Sequence, residues 1–148
     1  MIEKKNFYIN GKWVSPSKPN NFEVIDPSTE DPFAIISLGS EQDADDAIKA
    51  AKIAFESWRE TSKEKRLSLL EKFDEIYNRR WDEMVNAQST EMGAPLDYSS
   101  EVHTKMGADI SKNTLKILKD FNFEHQFDIK SNNHIRYEPI GVLSLIHI

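Results

Sequence analysis

The sequence has 148 residues, of which 39% are hydrophobic and 30% are charged, and its net charge is -6. An acidic chain without a basic stripe is not expected to bind nucleic acid through charge. No stretch is apolar enough to cross a bilayer, and the start MIEKKNFYING lacks the apolar core of a secretion signal, so we expect a cytoplasmic protein. The absence of cysteine excludes disulfides, thiolate metal sites and a cysteine nucleophile within these residues.

The first forty residues are predicted to be mostly β structure. Asn10-Gly11 lies between two runs of aromatic and β-branched residues, Phe7 to Ile9 and Lys12 to Val14, which is typical of a tight hairpin. Two further strands, FEVID and FAIISLG, flank a turn at Asp26-Pro27. This region therefore predicts a hairpin and two additional strands.

Three long helices are predicted next. Ser40 and Asp43 have the spacing of a capping box before an apolar helical pattern that ends at Trp58. Acidic residues in this first turn are favoured by the helix dipole, so they do not require a metal. A second helix is predicted from the cap pair Thr61 and Glu64 to a stop at Gly93 and Pro95, and a third from Tyr98 to Asp120.

A second hairpin is predicted near the end of the chain. In FNFEHQFDI and HIRYE, apolar and polar residues alternate on either side of the turn KSNN. A two-stranded ribbon with such a large apolar face is marginal alone in water, so we expect it to pack against a partner.

Catalytic residues are not identified by pattern. The four histidines have no ligand spacing, and the five glycines do not form a phosphate-binding loop. These residues alone predict an α/β chain and no catalytic or cofactor-binding site.

The order of six motifs resembles the start of an NAD(P)-dependent aldehyde dehydrogenase. They are FYINGKWV, FEVIDPSTED, SLGSEQDADDAIKAAKIAFESW, RLSLLEKFDEIYNRRWDEM, STEMGAP and RYEPIGV. The resemblance implies that residues 1–120 form the N-terminal part of a dinucleotide-binding domain. It implies that 121–138 form an oligomerisation hairpin and that 139–148 start the Rossmann-like nucleotide-binding sheet. The expected partners are a second copy of the chain and an aldehyde substrate.

The resemblance also implies two sites. A monovalent cation would be held by the backbone carbonyl of Ile25 and by the side chain of Glu91, although the family more often has aspartate at the second position. The third helix would line the aldehyde channel through Val102, His103 and Met106. Simple helix-end exposure of Glu91 and core packing of Val102 and Met106 are the alternatives.

The family's catalytic residues are expected outside this chain. In the family, a cysteine attacks the aldehyde, NAD or NADP accepts a hydride, and a glutamate activates water. We therefore expect no cofactor to bind this fragment alone, and we expect it to be inactive.

The end of the chain departs from the family pattern. In the family a P-W-N motif follows E-P-x-G-V, whereas here residues 143–148, LSLIHI, take its place. The same six residues are encoded by the codons CTG TCT CTT ATA CAC ATC, which match a transposon-end sequencing adapter. We expect a chain truncated within the first strand of the Rossmann-like sheet, and we hypothesise that the hexapeptide is a sequencing artefact. Two other functions are kept open, a non-catalytic module that docks on dehydrogenase subunits and an unrelated acidic helical scaffold.

Overall fold

Three strands from the first 37 residues form a small mixed sheet. The computed structural model describes residues 1–128 and 132–147. Strands β1 (Ile2–Lys4), β4 (Asn21–Ile25) and β5 (Pro32–Ser37) form a sheet in the order β1-β5-β4. β1 is parallel to β5, and β4 is antiparallel to it. The sequence does not predict β1, because its three residues are all exposed and show no alternation of apolar and polar side chains.

The predicted first hairpin is confirmed. Strand β2 (Phe7–Ile9) pairs antiparallel with β3 (Lys12–Val14), and Phe7 lies opposite Val14. Asn10 and Gly11 have φ values of 53° and 73°. Two successive residues with positive φ are what a two-residue hairpin turn of the primed type requires.

Helix α1 (Glu41–Trp58) begins with the predicted capping box. The Ser40 hydroxyl accepts from the Asp43 N–H at 3.3 Å, and the Asp43 carboxylate accepts from the Ser40 N–H at 2.8 Å. The Ser17 N–H also donates to this carboxylate at 2.8 Å. Hydrogen bonds from the backbone of Ser17, then of Ser40, hold the pKa of Asp43 at about 2. Asp43 is therefore explained by capping and by its tie to the loop at Ser17.

The second predicted helix is divided in two. Helix α2 (Lys63–Arg79) ends before Arg80, and α3 (Trp81–Met92) follows at once. Arg80 has φ -98° and ψ 23°, outside the helical region, and this residue separates the two helices. The predicted cap at Thr61 is wrong, because the Ser62 hydroxyl accepts from the Lys65 N–H at 3.2 Å.

The third predicted helix begins two residues earlier than expected and changes its winding. It starts as a short segment, α4 (Leu96–Tyr98), continues through a π-helical turn (Ser99–Thr104) and ends as α5 (Lys105–Asp120). We call Ser99–Thr104 the π turn. Such single turns recur at functional sites.

The second hairpin consists of β6 (Glu124–Gln126) and β7 (His134–Arg136), which pair antiparallel. Ile129 and part of the predicted KSNN turn lie outside the described residues. Residues 139–144 have no regular structure, and a 3-10 turn covers Leu145–His147. A strand needs a neighbour to satisfy its backbone, and in the described ranges no strand pairs with residues 139–147, where the start of the Rossmann-like sheet is expected.

The apolar helix faces are largely uncovered in this chain. In the described parts, the buried hydrophobic residues are Ala34, Val85 and Ala108. Phe73 on α2 is 54% exposed, and Ile110 on α5 is 59% exposed. Both side chains lie on the apolar faces of their helices, so these faces lack the surface they would pack against. Within the same described parts, no helix is long and apolar enough to span a bilayer.

Candidate functional site

The three predicted channel residues lie on and just after the π turn. Val102 and His103 belong to the turn and are half-buried, whereas Met106 is in the first turn of α5 and is 56% exposed. His103 contacts the Tyr98 ring edge-on, with 4.9 Å between ring centroids. Its Nδ1 atom is buried and has no hydrogen-bond partner among the described residues. A buried nitrogen without a partner is a group available to a ligand or to water.

Side chains from α2 and α3 hold the π turn in place. The Tyr77 phenol donates to the Thr104 carbonyl at 3.0 Å, and the Thr104 hydroxyl donates to Gln88 Oε1 at 3.3 Å. The Trp81 indole N–H donates to the Ser100 hydroxyl at 3.1 Å. Thr104 is completely buried. Hydrogen bonds at both ends of the turn therefore fix its position against the two neighbouring helices.

Gly107 makes room for the Tyr77 ring. A Cβ atom at this position would overlap the phenol oxygen and lie 3.0 Å from Cζ. Burial raises the pKa of the Tyr77 phenol, which keeps it protonated and able to donate to Thr104. Glycine is a poor helix former, and its presence inside this helix is explained by the close approach of another helix.

The two predicted cation ligands lie on either side of one junction. Ile25 ends β4, and Glu91 is an exposed residue near the end of α3. Gly93, which ends α3 with φ 67°, lies against Pro27, so that a Cβ on the glycine would be 3.0 Å from the proline ring. A carbonyl and a carboxylate are the oxygen donors that hard cations prefer. In the described part of the chain, no group of three or more His, Asp or Glu side chains is placed to hold a metal.

The second hairpin carries an aromatic cluster at its base. Phe121 contacts Phe123 and Tyr137, with 4.9 Å and 5.4 Å between ring centroids. Further along the ribbon, Phe127 is 65% exposed. The cluster joins the hairpin to the end of α5, while the outer part leaves apolar surface uncovered.

The sequence predicts that Val102 and His103 lie on a helix, but it does not predict the hydrogen bonds from α2 and α3 that hold this segment in place. Nothing in the sequence marks the residues that make these hydrogen bonds, Tyr77, Trp81 and Gln88, as contacts of the third helix. Glycine inside the third helix is the one signal that marks a close helix contact.

Comparison with known proteins shows the family of the chain. The model of the aldehyde dehydrogenase family matches residues 13–147. A 3-succinoylsemialdehyde-pyridine dehydrogenase from Pseudomonas sp. is 37% identical over 147 residues, which cover 99% of this chain and 30% of that protein. The chain thus spans about 30% of the length of this curated relative.

Solved structures give the same result. An aldehyde dehydrogenase from Bartonella henselae is 45% identical and superposes with a TM-score of 0.87, covering 89% of this chain and 28% of that one. Aldehyde dehydrogenase C from Pseudomonas syringae, solved as a mutant with NAD+ and octanal, is 31% identical with a TM-score of 0.81, covering 84% and 26%. The predicted α/β fold, the N-terminal part of a larger enzyme fold, is confirmed. The chain belongs to the aldehyde dehydrogenase family.

Proposed function

We propose that this chain supplies the N-terminal third of an enzyme that oxidises an aldehyde to a carboxylic acid with NAD or NADP. The observation that carries the proposal is the match of nearly the whole chain to the start of such enzymes, at 45% identity to a solved one. NAD(P)+ would supply the hydride acceptor. Because the chain has no cysteine, the nucleophile must belong to the rest of the enzyme.

The proposed division assigns to three segments of the chain the roles that the sequence resemblance implies. Residues 1–120 serve as the N-terminal part of the dinucleotide-binding domain, 121–138 as the oligomerisation hairpin and 139–148 as the entry to the nucleotide-binding sheet. The uncovered apolar faces support this division, because contiguous exposed apolar surface on a protein commonly marks a site of contact with another part or partner. The cytoplasmic location and the artefactual origin of 143–148 stay predictions.

Within the proposed enzyme, Val102, His103 and Met106 line the path of the aldehyde. The unpartnered Nδ1 of His103 supports this role, because a polar group of a substrate or a water can occupy it. Ile25 and Glu91 hold a monovalent cation that fixes the junction between β4 and α3. The Pro27 and Gly93 contact supports that placement.

A chimaera tests the proposal. Residues 13–142 replace the matching segment of the Bartonella henselae enzyme, and aldehyde-dependent formation of NADH is measured. We expect activity from the chimaera and none from the 148-residue chain alone. The unmodified Bartonella enzyme is the control. A folded chimaera that oxidises no aldehyde accepted by the control would contradict the proposal.

A second candidate is a non-catalytic module that docks on dehydrogenase subunits. The exposed Phe127 on the hairpin favours it. Co-expression with a tagged full-length relative decides this point. Under the module hypothesis the chain co-purifies with the tagged subunit, and a Phe127→Ser variant does so less.

A further inference from the structure

A basic cleft lies between the start of α2 and the base of the second hairpin. Its volume is about 450 Å³, within the range of about 300–1,000 Å³ typical of small-molecule sites. Four cationic side chains and two aromatic rings line it: Arg59, Lys63, Arg66, Arg136, Phe123 and Tyr137. A concentration of positive charge is unexpected on a chain whose net charge is -6.

Two of the four cations are already balanced. Arg59 Nε lies 3.3 Å from the Glu60 carboxylate, and Arg136 Nε lies 3.4 Å from that of Glu138. Both acids also line the cleft. The positive charge that remains belongs to Lys63 and Arg66.

Neutral acceptors hold these two remaining cations. Lys63 Nζ donates to the carbonyls of Lys119 and Phe121, at 2.7 and 3.1 Å. One terminal nitrogen of Arg66 donates to the Arg59 carbonyl at 3.2 Å. Carbonyl oxygens fix the position of a cation without neutralising it. Within the described ranges, neither Lys63 nor Arg66 has an ion-pair partner.

The Arg66 guanidinium has an unused donor. Its Nε atom is buried and, in the described residues, has no hydrogen-bond partner. The Phe123 ring lies 5.8 Å from the guanidinium carbon and restricts the plane of the group. A buried donor without an acceptor is costly, and a preoriented guanidinium matches the geometry of a carboxylate.

We propose that this cleft binds a small organic carboxylate. A carboxylate oxygen accepts from the Arg66 guanidinium in the field of Lys63, and the apolar body of the ligand lies on the rings of Phe123 and Tyr137. An inorganic anion would leave both rings uncovered, and an acidic side chain of a second copy is small for the volume. The inference is independent of the dehydrogenase activity, because it uses only contacts within this chain.

The test is a titration of the 148-residue chain with benzoate, followed by the NMR signal of the Arg66 Nε–H. Benzamide is the neutral probe of the same shape, and inorganic phosphate is the probe without an apolar body. We expect benzoate to shift this signal saturably and to bind more weakly as salt rises. Benzamide and phosphate are expected to bind at least tenfold more weakly.

Matched variants locate the site. Arg66→Gln is expected to weaken benzoate binding at least tenfold, which corresponds to about 1.4 kcal/mol. Arg79→Gln, on the same helix but outside the cleft, should bind as the unmodified chain does. If Arg66→Gln does not fold, the benzoate-induced shift in the unmodified chain and its loss in Lys63→Gln test the same contact.

Three results would overturn the proposal. One is equal binding of benzoate and benzamide, and another is preference for phosphate, which would make the cleft a simple anion site. The third is a chain that self-associates in sedimentation and dissociates on adding benzoate. That result would assign the cleft to an acidic side chain of a neighbouring copy.

Discussion

Replacing Gly107 with alanine tests the contact that holds the π turn. On an ordinary helix this change stabilises by about 1 kcal/mol, because glycine is a poor helix former. Here the new Cβ would overlap the Tyr77 phenol and displace it from the Thr104 carbonyl. Loss of a hydrogen bond to a buried carbonyl costs about 1–3 kcal/mol. The two effects together predict that Gly107→Ala lowers the free energy of unfolding by about 0–2 kcal/mol, where an ordinary helix position would gain about 1 kcal/mol.

A double-mutant cycle isolates the cause. Tyr77→Phe removes the phenol oxygen, so alanine at 107 should cost less in that background, with a coupling energy of about 1 kcal/mol or more. Gly39→Ala is the matched control, since its Cβ would lie 3.7 Å from the Phe7 ring, an ordinary contact. The free energies are measured by urea unfolding followed by far-ultraviolet circular dichroism. A stabilising Gly107→Ala, or effects that simply add, would refute the close approach of Tyr77.

Three other predictions concern single contacts. Ser62→Ala should reduce stability by about 1 kcal/mol in urea unfolding, because the Ser62 hydroxyl caps α2. Thr61→Ala should reduce it by much less, and equal losses from the two changes would assign the cap to Thr61. Because the folded-state pKa of Asp43 is lowered to about 2, its contribution is present above about pH 4 and is lost as the pH falls towards 2. Acid titration of Asp43→Asn should lack that loss, and an unchanged acid profile would argue against the tie to Ser17. Gly93→Ala should destabilise the fold by about 1–2 kcal/mol through the positive φ at this position, with a further loss from contact with Pro27. A neutral result in thermal unfolding would contradict the left-handed cap.

The elements with strong local signals were predictable from the sequence. The Asn10-Gly11 turn and the Ser40 capping box each depend on residues within a few positions of one another, and both are confirmed. Local geometry alone decides such features.

Features that depend on distant residues were not predictable. The break at Arg80 has no proline or glycine to mark it, and β1 forms only because residues 2–4 meet β5 about thirty positions later. The π turn depends on Tyr77, which is 27 residues from its acceptor Thr104. Periodicity within one helix carries no information about such contacts.

The same limit applies to the candidate sites. Val102, His103 and Met106 were placed by resemblance, and no sequence pattern indicates the unpartnered His103 nitrogen. The basic cleft combines residues 59–66 with 123–139, so no local motif could indicate it.

The π turn shifts the side-chain register between the two α-helical parts of one continuous helix. A residue in an α-helix advances by about 100°, so one extra residue in a turn rotates everything after it by that amount. The π turn packs mainly on α3, apart from the hydrogen bond that Thr104 accepts from Tyr77 of α2, whereas α5 packs on α2. A single helix can therefore pack on both α3 and α2. Removing one residue from the π turn should restore regular winding and rotate away from α2 the face of α5 that now packs on it.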